Sequence, residues 1–259
     1  MASIQNQKPK IPNQLIPWLD VLAITAWGIL MLKYWLTSKL NLLIHPDYFW
    51  LVIMGAVGLL IVGFFKGKQL WKRRRRYEAP ANNDQHINLF PPGWGSGLLL
   101  TTAILGFIIT PRVFTSQTAL DRGVTEILGA TRSQPQSFRA TVQPEERSLI
   151  DWVRILNVYP EPDAYTGQKV KVQGFVIHPP ELDKDLLLLA KFVITCCAAD
   201  VYPAGLPVKL PDNRDQYPPD VWLEVEGQMI TENVANKRQL TIKATSLKKI
   251  PQPENPYSY

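Results

Sequence analysis

The stretch Tyr48–Phe65, YFWLVIMGAVGLLIVGFF, carries no charge and no polar stripe. A helix that crosses a hydrocarbon core needs roughly 17–25 mostly apolar residues. This stretch therefore reads as a transmembrane span rather than as the buried helix of a soluble protein. Working outward, Trp18–Leu36 (WLDVLAITAWGILMLKYWL) has charges only at Asp20 and Lys33, near its two ends, and Trp94–Thr110 (WGSGLLLTTAILGFIIT) has none. The same length argument then predicts three spans, near 18–36, 48–65 and 94–110, within a membrane domain over residues 1–110. Trp18, Trp35, Trp50, Trp71 and Trp94 fall at or just beyond span ends, where indole rings favour the interface. Lys33, Tyr34 and Trp35 stand where the exit of a cleaved signal peptide needs small residues, so the first span is expected to be retained.

The formal charge of +6 suggests a nucleic-acid binder until it is divided along the chain. Residues 1–110 hold 11 Lys/Arg against 4 Asp/Glu, whereas residues 111–259 hold 17 against 18. The excess base thus lies beside the apolar segments, where it reports membrane orientation better than phosphate binding. Lys66, Lys68, Lys72, Arg73, Arg74, Arg75 and Arg76 open the 66–93 stretch, while only Lys39 stands between the first two spans. The positive-inside rule then makes 66–93 a cytoplasmic loop, with Lys72, Arg73, Arg74, Arg75 and Arg76 as its anchor. Three crossings put the N-terminus in the cytoplasm and residues 111–259 outside it. Asp20 sits in the first helical turn, where a carboxylate suits the helix dipole and a structural role is expected. Gly63-x-x-x-Gly67 and Gly93-x-x-x-Gly97 are weak signals of close helix packing.

Residues 111–143 read as a connecting arm with a helical stretch from Ser116 to Leu128. A short amphipathic helix is expected from Pro144, with Leu149, Ile150, Trp152, Val153 and Leu156 on its apolar face. From Gly167 the period changes to two. Val170, Val172, Gly174 and Val176 alternate with Lys169, Lys171, Gln173 and Phe175, Val221, Leu223 and Val225 with Trp222, Glu224 and Glu226, and Leu240, Ile242 and Ala244 with Thr241, Lys243 and Thr245. Leu186–Cys196 is a longer apolar run, and a further strand is expected near Pro207–Leu210. Five strands predict a small antiparallel barrel, OB-like, over residues 144–259, with Gly174 and Gly227 at bends or bulges. The fold class is therefore an α+β membrane protein. An OB barrel often binds nucleic acid, but the charge of this half argues against it.

The chemically distinctive stretch is Thr195-Cys-Cys-Ala-Ala-Asp200, which holds the only two cysteines. In a regular strand Cys196 would enter the core and Cys197 would face out. A bend after Ile194 would instead bring both sulfurs together with Asp200. Four readings stay open: packing, a vicinal disulfide, thiol chemistry, or a zinc or copper site of Cys196, Cys197 and Asp200. His178, Lys191 and Thr195 are accessory candidates, and His45 and Asp47 in the first external loop are potential further ligands. The sequence has no Gly-x-Ser-x-Gly, phosphate loop, Cys-x-x-Cys or His-Glu-x-x-His, and an enzyme is not expected.

Gly174-Phe-Val176, Lys191-Phe-Val-Ile-Thr-Cys-Cys-Ala-Ala-Asp200, Pro203-Ala-Gly-Leu206, Trp222-Leu-Glu-Val-Glu-Gly227 and the ending Ile250-Pro-x-Pro-x-x-Pro-Tyr257 resemble the bacterial YcgQ-type membrane proteins. The resemblance covers roughly residues 145–257, and the spans only in pattern. Lys191 stands where that family usually has Arg, and Val201 where it usually has Ala. The resemblance implies a non-enzymatic accessory subunit of a two-component permease in a bacterial inner membrane, partnered by a separate multi-span permease. Its external domain is expected to dock on that permease, or to deliver or sense a solute or a metal ion through Cys196, Cys197 and Asp200. The spans make the lipid bilayer a further partner, and the charge of residues 111–259 leaves no nucleic acid. A stand-alone thiol or metal enzyme anchored to the membrane, and a structural membrane protein without ligand, are the two alternatives.

Overall fold

The computed structural model describes residues 15–75, 93–123 and 143–259, which fall into two bodies. One comprises Met1–Leu40 with Pro46–Pro111, the other Asn41–His45 with Arg112–Tyr259.

The first body contains helices α1 (Ile16–Leu36), α2 (Phe49–Arg75) and α3 (Trp94–Ile108). Among the described residues, two helical stretches, Ile16–Leu36 and Pro46–Lys72, are long and apolar enough to cross a membrane, and Trp94–Ile108 is a shorter apolar helix. Small residues let these helices approach closely. A Cβ on Gly28 would lie 2.9 Å from Leu60 Cγ, one on Gly63 2.6 Å from Thr25 Oγ1, and one on Gly106 2.6 Å from Leu30 Cδ2. Of the two expected small-residue pairs, Gly63 and Gly67 do face α1, whereas Gly97 has open space beside it. α1 and α3 are tied by polar groups at matching heights. The Trp27 indole donates to the Leu99 carbonyl at 2.9 Å, Lys33 Nζ to Phe107 at 3.1 Å and the Tyr34 hydroxyl to Gly106 at 2.5 Å. Asp20 accepts from the Ser96 hydroxyl, a structural role for the acid. These contacts make α1 and α3 parallel, with α2 antiparallel to α1. The basic stretch opens as helix rather than loop, because Lys66, Lys68 and Lys72 are good helix formers that let α2 run on to Arg75. Arg76 lies outside the described residues.

The second body contains α4 (Ser116–Asp121), α5 (Leu149–Val158) and six strands: β1 (Lys169–Ile177), β2 (Leu186–Val193), β3 (Tyr202–Lys209), β4 (Trp222–Val234), β5 (Lys237–Ile250) and β6 (Tyr257–Ser258). Their order in the sheet is β1-β4-β5-β3-β2-β6, and β1 also pairs with β2. The sheet is mixed rather than purely antiparallel: β3 runs parallel to β5, and β6 parallel to β2. The amphipathic helix starts later than Pro144, since Ser148 and Asp151 form a reciprocal capping box, while Pro144–Glu146 make a separate 3-10 turn. Part of the stretch read as an arm is packed, with Ala119 of α4 fully buried; residues 124–142 lie outside the described residues.

Both faces of β2 are covered. Leu187, Leu189 and Val193 join a core with Trp152, Leu149, Val172, Leu206, Leu223 and Ile242. Leu188, Ala190, Phe192 and Ile194 join a second with Phe175, Trp222, Tyr257 and Leu42. A strand covered on both sides is uniformly apolar, which explains why this run lacks alternation.

Candidate functional site

β2 ends at Val193, three residues before the cysteines, so the regular-strand geometry for Cys196 does not arise. Ile194 is still buried, and its N–H donates to the Ser258 carbonyl at 3.0 Å, extending the contact with β6. Beyond it the chain bends, and Asp200 closes the bend from within. The Asp200 carboxylate accepts the Thr195 hydroxyl, the Cys196 N–H at 2.8 Å and the Cys197 N–H at 3.2 Å. Asp200 N–H in turn donates to the Cys197 carbonyl at 3.1 Å. The bend also holds both thiols on one side of the chain, with their sulfurs 3.7 Å apart. Cys196 is exposed, Cys197 half-buried, and both are free thiols.

A second strand of chain fixes the bend from outside. Ile44 forms an antiparallel bridge with Cys197, His45 N–H donates to the Cys196 carbonyl at 3.0 Å, and Ala198 N–H donates to the Leu43 carbonyl at 2.7 Å. The backbone on both sides of the two cysteines is thus hydrogen-bonded to a segment some 150 residues earlier in sequence. The His45 ring stands edge-on to Tyr259, with centroids 4.9 Å apart.

The ligand atoms of Cys196, Cys197 and Asp200 all lie within 4.8 Å of one another. Hydrogen bonding to the Asp200 carboxylate, and then to Cys197, pushes the Cys196 thiol up to about 11. Burial works to raise the Asp200 carboxyl, but the donors Thr195, Cys196 and Cys197 outweigh it and hold the group below the usual range. Cys196 is therefore a protonated thiol at neutral pH, and the thiolate that nucleophilic chemistry needs is disfavoured.

The accessory candidates separate. Thr195 belongs to the cluster through its bond to Asp200. Lys191 is half-buried on β2 opposite Ala204, where burial draws its ammonium below the usual lysine range. His178 is outside the cysteine group, at the end of β1. Burial and then the Arg214 charge lower its pKa, and its Nε2 is buried with no hydrogen-bond partner among the described residues. The contribution missed from sequence is the backbone of Leu43–His45, which carries no residue-type signal for strand pairing.

Residues 136–259 match the family model of the DUF1980 C-terminal domain. The chain is also similar to the UPF0703 protein YcgQ of Bacillus subtilis (strain 168), with 26% identity over 104 residues, 39% of this chain and 36% of that protein. The match therefore spans little more than a third of the relative's length. Together these findings support the YcgQ-type family that the signature around Cys196 and Cys197 resembles. No solved structure matches the chain.

Proposed function

We propose that this chain is a membrane-anchored accessory subunit of a transport complex, with its C-terminal domain outside the cytoplasm and docked on a separate multi-span permease. The helix order of the first body supports the orientation, and the subunit role rests on the family resemblance read in the sequence. α1 and α3 run one way and α2 the other, so the basic C-terminal end of α2 shares a side with the starts of α1 and α3. The positive-inside rule puts that side in the cytoplasm. The end of α1, the start of α2 and the end of α3 are then external, and these are the points where the chain passes into Asn41–His45 and Arg112–Tyr259.

Exposed apolar side chains support a lipid environment. Met54 is 67% exposed, Phe64 66% and Ile108 72%, with Leu22, Ile29, Val62, Leu98 and Leu105 also open. Surfaces of this extent belong against lipid or protein. α3 has 15 residues and rises roughly 22 Å, short of the roughly 30 Å hydrocarbon core. Reading it as a third span joins it to Ile109 and Thr110 and rests on its polar ties to α1. The pairings β1–β2, β2–β3, β3–β5, β5–β4 and β4–β1 form a ring, which supports reading the domain as a small OB-like barrel capped by α5.

The test is purification of the tagged chain from gently solubilised native membranes, followed by mass spectrometry and reciprocal capture. The expected result is one multi-span permease in fixed stoichiometry. Recovery of the chain alone across several mild detergents would defeat the subunit reading.

A further inference from the structure

We propose that Cys196 Sγ, Cys197 Sγ and a carboxylate oxygen of Asp200 form a zinc site with three protein ligands and one open position. This inference does not depend on the permease reading, because it concerns a site within the second body alone.

The sulfur separation carries it. Two thiolates bound to one zinc ion lie roughly 2.3 Å from the metal, and at a tetrahedral angle this places the sulfurs about 3.8 Å apart. The two sulfurs are 3.7 Å apart. Adjacent residues rarely present their side chains to the same point, and a strand forbids it. Here the Asp200 bend achieves it. A linear two-thiolate site would need the sulfurs on opposite sides of the ion and hence further apart, so the spacing favours a tetrahedral divalent metal over cuprous copper.

Asp200 is built to serve as the third ligand. An ionised carboxylate has about four acceptor positions. Thr195 and the Cys196 N–H donate to Oδ2, whereas the Cys197 N–H donates to Oδ1. These donors orient the carboxylate as outer-shell partners orient metal ligands elsewhere. The Cys196 sulfur lies within 4.8 Å of the carboxylate's ligand oxygen. A zinc ion placed there takes the position of the thiol proton, and binding releases the protons of both thiols to solvent. The hydrogen bonds from His45 and to Leu43 hold the ligand-bearing backbone in place before any metal arrives. Two sulfurs and one oxygen leave the tetrahedron one donor short. Such a site exchanges its fourth ligand, unlike a closed structural site of four protein ligands.

The experiment uses the full chain in mild detergent, freed of metal with a chelator and titrated with Zn²⁺ against a chromogenic competitor, and in parallel with Co²⁺. One ion per chain is expected. The cobalt form should show sulfur-to-metal charge-transfer absorption of two thiolates and the strong visible bands of tetrahedral coordination. Cys196→Ser and Cys197→Ser should each weaken binding about 100-fold. Asp200→Asn should weaken it about 10–100-fold while keeping both sulfur bands. In the wild-type chain Zn²⁺ should protect both cysteines from alkylation, a readout that needs no variant to fold. Unchanged alkylation in saturating Zn²⁺, octahedral cobalt spectra, or equal affinity in a folded Cys196→Ser/Cys197→Ser chain would each overturn the site.

Discussion

At the scale of single residues, the cluster turns on Asp200, which shapes the bend and sets the protonation of its neighbour. Its hydrogen bond with Cys196, followed by the contribution of Cys197, raises that thiol from an ordinary value of 9.0 to about 11. A raised thiol pKa means that the folded metal-free state favours the protonated form. That stabilisation is present below about pH 9 and is lost as pH rises through about 11. In chelator-treated protein at pH 8, Cys196 then holds about 100-fold less thiolate than an unperturbed cysteine, offset by about tenfold greater intrinsic nucleophilicity. Iodoacetamide should therefore modify it about tenfold more slowly than a free cysteine. The rate should keep climbing with pH to about 11. Asp200→Asn should move that midpoint downward. Site-resolved mass spectrometry of the alkylated peptide measures both, and a midpoint that Asp200→Asn leaves in place would remove Asp200 from the account.

At the scale of elements, glycine marks the places where strands come too close for a side chain. A Cβ on Gly227 would lie 2.1 Å from the Lys243 carbonyl oxygen, at the point where β4 and β5 shift register between Glu226 and Gly227. Gly227→Ala should lower stability by about 1–3 kcal/mol, seen as a lower melting temperature of the full chain in detergent. Gly97→Ala, where nothing lies within 4 Å of the added methyl, should leave it level or raise it slightly. Equal melting of the two variants would contradict the packing at the bulge. Alternation in the sequence discloses β4, β5 and the first half of β1, where one face meets the core and the other is open; the second half of β1 is buried on both faces. Alternation conceals most of β3. Pro203 and Pro207 interrupt the pattern that a strand predictor needs, yet they are four residues apart, so both missing N–H groups fall on one edge of the strand. It also leaves the cysteine geometry open, because local pattern cannot decide whether a strand continues past Ile194. Asp200 decides it through its side-chain carboxylate, and the distant Leu43–His45 segment through backbone hydrogen bonds that leave no trace in side-chain type.

At the scale of the whole molecule, the apolar segments and the asymmetric charge were legible at once, since membrane insertion reads composition along the chain. The helix order was not: it rests on Gly28, Gly63 and Gly106 and on the bonds of Trp27, Lys33 and Tyr34, which no periodicity reveals. The resulting orientation is the central claim, and the chain carries its own reporter for it. Cys196 and Cys197 are its only cysteines, and both are free. The most direct measurement treats cells or spheroplasts with chelator and then with a membrane-impermeant maleimide at mildly alkaline pH, before and after permeabilisation. The account predicts nearly full labelling of the chain in the intact sample, with little gain on permeabilisation. Labelling that occurs only after the membrane is opened would place the cysteine domain in the cytoplasm and contradict the account.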